Sequence, residues 1–323
     1  MRNDPDCGFI FSVKDRKKVW AFVSLIVIVL LWGSVPVIGK YLLERDFYSP
    51  SLLVAVRGLL ATVTMVIVVL ISKAYRFLNK SYWICLPAGL ILAAAYLFQF
   101  IGLDTTTTTK SVFLESFSVV ATPITLLILI KEKPRWNTSV ASLLCLVGAF
   151  ILCGDGWNFS ELFKAPTMGD IFSAIGGALF GVNIAFTQVY AKKKNAFLYV
   201  TFQMGILTLL TFGYALLFER PLRFSWDTGN LFILLYLGVF CTALCWVVRA
   251  VSVRHIGAVT IAVMNPMSAV FATVLALALG QEIFNANLLV GALIILSAIV
   301  LSSLPLPQKQ TKTTPENKPP ESE

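Results

Sequence analysis

The sequence predicts an all-α integral membrane protein, with ten transmembrane helices in two inverted five-helix repeats. Three observations carry this. The chain is 57% hydrophobic and 13% charged, against the ~25% charge of soluble domains, and its mean hydropathy is +0.81. Its apolar residues gather into ten long runs. The later runs repeat the earlier ones at a nearly constant offset. A soluble chain this apolar could not cover its surface with polar groups, whereas apolar side chains facing lipid carry no such penalty.

Taken in order, the runs are residues 19–40, 51–72, 81–102, 109–130, 136–154, 168–191, 196–218, 230–251, 257–279 and 285–304. Each is near the roughly 20 residues that cross a bilayer as a helix. They are continuous rather than alternating in polarity, which fits helices and not barrel strands. The first follows the basic stretch Lys14 to Lys18 and lacks an Ala-x-Ala-type site, so it is expected to be a retained span. The expected organisation is a cytoplasmic N-terminal segment at 1–18, a first five-helix repeat at 19–154 and a second at 168–304. A tail at 307–323, rich in Pro, Lys, Thr and Glu, is expected to be disordered and cytoplasmic.

Charge suggests an orientation. With the amino terminus in the cytoplasm and sides alternating, 19 of the 26 Lys and Arg residues fall on the cytoplasmic side, Arg249 and Arg254 among them. Six fall on the opposite side, and Arg57 lies within a span. This obeys the positive-inside rule and predicts a multi-pass protein of the cytoplasmic membrane with both termini cytoplasmic. The net charge of +9 is then a matter of membrane orientation and anionic lipid headgroups, and implies no nucleic-acid partner. Six cysteines are present, none in a CxxC pair and five in or beside apolar runs; they read as small buried hydrophobes. The single His255 has no companion ligands, so no metal or cofactor is expected.

The repeat is read from paired positions. At an offset of 150, Tyr96, Glu132, Ala141 and Gly148 face Trp246, Glu282, Gly291 and Ala298. At an offset of 148, Leu31–Gly33 (LWG) faces Leu179–Gly181 (LFG). Because five is odd, the second half enters the membrane from the opposite side. The halves are then related by a pseudo-two-fold axis in the membrane plane, an arrangement typical of secondary transporters with a midplane site between the halves.

The stretch FQFIGLDTTTTTKSVFLESFSVVATPITLLILIKEKPRW, with LLWGSVPVIGK and SPSLLVAVRGLLA before it, resembles the EamA-type branch of the drug/metabolite transporter superfamily. GDIFSAIGGALFGVNIAFTQVY, TALCWVVRAVSVRHIGAVTIAVMNPMSAVFATVLALALGQE and LLVGALIIL are similar to the same pattern in the second half. The resemblance implies two inverted EamA repeats and the export or exchange of small metabolites, with substrates that differ among members. It also implies that an Arg at position 57 serves structure or gating across members of varied substrate. The chain departs from the pattern at Glu115, where many similar proteins carry a small or hydroxyl residue.

Few polar side chains lie deep in the runs. Arg57 is seven residues into the second run. An intramembrane Arg is costly and usually faces the bundle interior. It reads either as a site for an anionic group or as a side chain snorkelling to the interface. Glu115 lies in a series Ser111, Glu115, Ser118, Thr122, Thr125 that runs down one helical face. It reads as a binding or proton-carrying group, or as half of a packing ion pair with Arg57 or Lys110. Tyr96 and Gln99 share a face, as do Asn183, Thr187 and Tyr190. Gln203 matches Arg57 at an offset of 146, and Asn265 matches Glu115 at 150. Each of these neutral groups also reads as an interhelical hydrogen bond. Trp32 and Trp246 are candidates to line a cavity. Pro36, Pro123 and Pro266 lie inside runs and are candidate hinges.

Other classes fare less well. An intramembrane enzyme needs a nucleophile with its base, a metal or paired acids, and the sequence has no HExxH or P-loop. A channel would show a filter-like Gly-rich motif or an acidic ring. A non-transporting scaffold or receptor is compatible with composition alone. The reading that unites the features is a secondary transporter of a small metabolite, an amino acid or related compound, working by alternating access as an exporter or exchanger. Its expected partners are that metabolite, membrane lipid, H+ as coupling ion, and a second copy of the chain in a homodimer.

Overall fold

The structure is a computed structural model that describes residues 13–106, 108–131, 135–152, 167–191, 194–278 and 286–303. Residues 1–12 and 304–323 lie outside the described residues, and with them the expected tail and most of the N-terminal segment. The same holds for Glu132, Glu282, Cys7 and Cys153.

Among the described residues the chain is helical. The first half comprises α1 (Val13–Glu44), α2 (Pro50–Ile71), α3 (Cys85–Thr105), α4 (Thr108–Glu115), α5 (Ser118–Ile130) and α6 (Trp136–Leu152). The second comprises α7 (Met168–Ala191), α8 (Ala196–Phe218), α9 (Thr228–Leu235), a π-helical stretch Tyr236–Leu244, α10 (Cys245–Ile256), α11 (Ala258–Met264), α12 (Met267–Ala278) and α13 (Ala286–Ser303). Eight helical segments are long and apolar enough to cross a membrane, and α6 and α13 are shorter apolar helices. Trp20, Ile71, Trp83, Ile128, Leu209 and Trp226 are among the large apolar side chains left on the outside, the pattern expected where the solvent is lipid.

Two runs expected to be single helices are broken. In the fourth, a tight turn at Ser116 and Phe117 separates α4 from α5. Val119 N donates to Ser116 O at 3.0 Å and Val120 N to Phe117 O at 3.1 Å, so the chain closes on residue i−3 rather than i−4. In the ninth, Asn265 and Pro266 separate α11 from α12, with Ser268 N donating to Asn265 O at 2.8 Å and Ala269 N to Pro266 O at 3.0 Å. The breaks fall at equivalent places, since Asn265 and Ser268 stand 150 residues after Glu115 and Ser118. Pro266 lacks an amide hydrogen and sits within the second break. In the first break Pro123 lies downstream in α5, where it cannot donate to Val119 O.

The halves interlock through helix pairs that recur in both directions. α3 packs on α7 as α10 packs on α1, and α5 packs on α7 as α12 packs on α1. α2 lies against α8, and α6 against α13. Glycine makes the closest of these approaches. A Cβ on Gly181 would stand 2.6 Å from Ser118 O, and one on Gly33 would stand 2.8 Å from Ser268 O. Gly33 and Gly181 are the matched glycines of LWG and LFG, and they seat α1 and α7 on matched serines. A Cβ on Gly148 or Gly291 would likewise meet the other's carbonyl, at 3.1 and 2.7 Å. The structural reason is the one glycine serves in membrane helices generally, close approach of two backbones.

Buried apolar residues form two clusters. One holds Leu53, Leu92, Phe100, Tyr199 and Leu237; the other holds Val119, Cys145, Ile261 and Ile295. Cys85, Cys145, Cys241 and Cys245 are all buried free thiols. Trp32 packs against both clusters, and beside it the bundle encloses its cavity.

Candidate functional site

A cavity of about 80 Å³ lies between the halves. From the first half come Trp32, Val35 and Pro36 of α1, Arg57 of α2, Tyr96 and Gln99 of α3, and Val112, Glu115, Ser116 and Ser118 around the first break. From the second come Phe180 of α7, Trp246 and Arg249 of α10, and Asn265, Pro266 and Ser268 around the second break. Both broken helices therefore present their turns to one space. A turn outside the regular ladder brings polar side chains to the wall, and such backbone is tolerated at membrane depth where it lines a cavity.

Arg57 is fully buried. Its Nε and Nη2 donate to Thr242 Oγ1 at 3.1 and 3.0 Å, and its guanidinium lies 5.0 Å from the Tyr96 ring and 5.3 Å from the Phe100 ring. Nη1 has no partner among the described residues. The π-helical stretch makes this anchor available. Thr242 Oγ1 donates back to Leu237 O, five residues earlier, at 2.7 Å, and Cys241 O accepts from Trp32 Nε1 at 2.9 Å. A wider turn leaves carbonyls free for such side-chain donors.

Glu115 accepts from Gln99 Nε2 at 2.6 Å. Among the described residues neither Arg57 nor Lys110 pairs with Glu115 within 4.0 Å, and Lys110 pairs with Asp170 at 3.4 Å. Two others of the polar series meet α7: Ser111 Oγ is 3.3 Å from Ser173 Oγ, and Thr122 Oγ1 donates to Gly181 O at 3.1 Å, while Thr125 Oγ1 donates to Ala121 O of its own helix. So of that series Glu115 and Ser118 reach the cavity and Thr122 does not.

An aromatic wall faces these groups. Trp246 Nε1 donates to Tyr96 OH at 2.8 Å, and these are equivalent positions of the two halves. Phe180 lies edge-on to Tyr96, with ring centroids 5.1 Å apart, and Trp32 stands 6.2 Å from Trp246.

Arg249 corrects the sequence-based count. It was placed on the cytoplasmic side, but it is 2% exposed and lines the cavity. Its guanidinium stacks 3.6 Å above the Trp246 ring, and Nη2 donates to Asn183 Oδ1 at 2.7 Å. The helical segment runs on to Ile256, five residues beyond the expected end at 251, so Arg249 is no longer near a terminus. The 19 basic residues expected on that face become 18 without it. The second half therefore brings a charged side chain of its own to the cavity. One signal was present: Arg249 stands 150 residues after Gln99.

The other candidates sit behind the wall. Asn183 donates through Nδ2 to Ala88 O at 2.8 Å and so holds Arg249 from the rear. Thr187 donates to Asn183 O at 2.8 Å. Gln203 is buried beside Tyr199, with Nε2 3.3 Å from the hydroxyl, and does not line the cavity as Arg57 does. Pro36 and Pro266 touch the cavity and Pro123 does not. Sequence reading also missed Phe180, Ser116, Ser268 and Thr242.

The helices, eight of them long and apolar enough to cross a membrane, form a polytopic bundle around a small cavity lined by aromatic, aliphatic and polar side chains. The chain belongs to the EamA-like transporter family, whose pattern matches residues 19–154 and again 167–304. It is similar to an uncharacterized transporter of Archaeoglobus fulgidus, 26% identical over 289 residues that make up 89% of this chain and 87% of the relative. It is also similar to an uncharacterized transporter of Clostridium kluyveri, 22% identical across 88% of this chain and 93% of the relative. A solved crystal structure, described only as that of a protein, superposes with a TM-score of 0.71 at 15% identity, over 88% of this chain and 96% of its own. That likeness speaks for the fold alone.

Proposed function

We propose that the protein is a secondary transporter of the cytoplasmic membrane that exports or exchanges a small metabolite, an amino acid or a related compound, by alternating access. The observation that carries this is the set of buried polar atoms around one cavity that have no partner among the described residues: Arg57 Nη1, Gln99 Oε1, Ser118 Oγ and Asn265 Oδ1. Buried polar groups are nearly always hydrogen-bonded. Four unpaired in one wall, drawn from both halves, are ready for an incoming solute. An ammonium suits the acceptors and a carboxylate suits the guanidinium.

In this reading α6 and α13 also cross the bilayer, giving ten spans and two inverted halves with both termini cytoplasmic. The reciprocal helix pairs and the matched seats of Gly33 and Gly181 support the inversion. Rocking one half on the other, with Pro36 and Pro266 flexing beside the cavity, exposes it to either face. Glu115 carries the coupling proton, exchanging it for the substrate's cationic group.

Purified protein in sealed proteoliposomes tests this. The expected outcome is saturable amino-acid flux, stimulated by an inward or outward proton gradient. Flux that rises linearly with concentration, or no flux at all, refutes the transporter mechanism. For Glu115→Gln the expected outcome is transport without dependence on the proton gradient; a variant that keeps full coupling removes the proton role.

A further inference from the structure

The cavity wall holds two guanidiniums, Arg57 and Arg249, and one carboxyl group, Glu115. Among the described residues neither guanidinium has a carboxylate within 4.0 Å. Arg57 is held by a hydroxyl and two ring faces. Arg249 is held by the Trp246 face and a neutral amide oxygen. With Glu115 ionised, these groups sum to one positive charge; with Glu115 protonated, to two. The excess is positive in either state.

Aromatic faces and neutral oxygens position a guanidinium but do not neutralise it. An uncompensated charge enclosed by a bundle is expensive, and a mobile counter-charge of the right sign relieves it. We infer that the transported solute is amphoteric with net charge −1: an acidic amino acid, whose ammonium meets Glu115 with the open acceptors Gln99 Oε1 and Asn265 Oδ1, and whose two carboxylates offset Arg57 and Arg249. This rests on the transporter reading above and narrows its substrate class. A neutral amino acid would satisfy Glu115 and one guanidinium and leave the other uncompensated.

The test compares isosteres that differ by one charge. Binding and uptake of L-glutamate and L-aspartate are measured against L-glutamine and L-asparagine, with the full chain in phosphatidylcholine vesicles and chloride-free buffer. The expected result is a preference for acid over amide of about tenfold or more, the scale of one charge-assisted pairing. In Arg249→Gln the acid-to-amide ratio should fall toward one, while Arg249→Lys should retain a clear preference. Because each ratio is taken within one preparation, partial loss of folded protein does not imitate the result.

Equal binding of acid and amide overturns the charge assignment while saturable amide transport leaves the transporter reading intact. If no amino acid binds or is carried, both fall. Amide binding that rises to the level of the acid on adding chloride makes chloride the counter-charge and overturns the proposal. So does displacement of the acid by phosphatidylglycerol added to the vesicles, which would put a lipid headgroup in the cavity.

Discussion

Replacing Thr242 by valine keeps the shape of the side chain and removes one oxygen. That oxygen accepts from Arg57 Nε at 3.1 Å and Nη2 at 3.0 Å while donating to Leu237 O at 2.7 Å. Arg57 Nη1 has no partner among the described residues, so Thr242→Val leaves a fully buried guanidinium with no hydrogen bond to those residues. Hydrogen bonds to charged groups are worth about 1.5–3 kcal/mol, and an orphaned buried charge sits at the upper end. The stacks on Tyr96 and Phe100 remain, which keeps the loss from growing larger. The expected destabilisation is about 2–3 kcal/mol, a factor of roughly 30–150 in the folding equilibrium. Thr242→Ser is the control, because it keeps the oxygen and deletes a methyl, at about 1 kcal/mol. Both are compared as apparent melting temperatures in the same detergent at one scan rate, since unfolding of such proteins is often irreversible. If Thr242→Val melts no lower than Thr242→Ser, the anchoring of Arg57 by the π-helical stretch is wrong.

Three further outcomes follow from the geometry. Gly181→Ala and Gly33→Ala push a methyl into backbone on the facing helix and should each cost about 1–3 kcal/mol, by similar amounts; a tolerated substitution at one site only would deny that the two seats are equivalent. Lys40 Nζ donates to Leu103 O, Asp104 O and Thr106 O at 3.0, 3.1 and 2.9 Å, tying α1 to the end of α3. Lys40→Met should lower thermal stability by about 1–3 kcal/mol and speed amide exchange at residues 103–106, and unchanged exchange would count against the tie. Trp246→Phe removes the bond to Tyr96 and thins the stack under Arg249, so substrate affinity should fall by about tenfold, on the scale of one hydrogen bond; isothermal titration reads it, and wild-type affinity would refute the role.

Much of the architecture was visible as pattern. Apolar runs mark helices because lipid imposes a simple rule on side chains, and the LWG and LFG glycines marked the two seats because only a hydrogen fits there. The breaks were half visible. Pro266 announces one, but Ser116 and Phe117 carry no residue that forbids a helix, and that turn belongs to the packing around it. Glu115, Arg57, Tyr96, Gln99, Ser118, Asn265 and Trp32 stood out because polar or aromatic groups in apolar runs are rare, and all seven line the cavity. Asn183, Thr187, Thr122 and Gln203 stood out for the same reason, yet they make internal hydrogen bonds away from the cavity, and composition cannot separate a cavity wall from a buried interface. Arg249 was lost to a boundary: with the run ending at 251 rather than at Ile256, it stood two residues from the end and was counted with the cytoplasmic face. Thr242 was unreadable, since its importance comes from a partner 185 positions away.

The Tyr96–Trp246 hydrogen bond joins a residue to its own counterpart in the other half, 150 positions later. A contact of that kind is special in any doubled structure, because perfect copies would place the same residue on both sides. Two tryptophans there would bring two N–H donors and no acceptor, leaving both unsatisfied in a buried site. A tyrosine facing a tryptophan gives one acceptor and one donor, and the bond can form. Where Tyr96 meets Trp246, divergence of the two copies is therefore what lets the junction bond form.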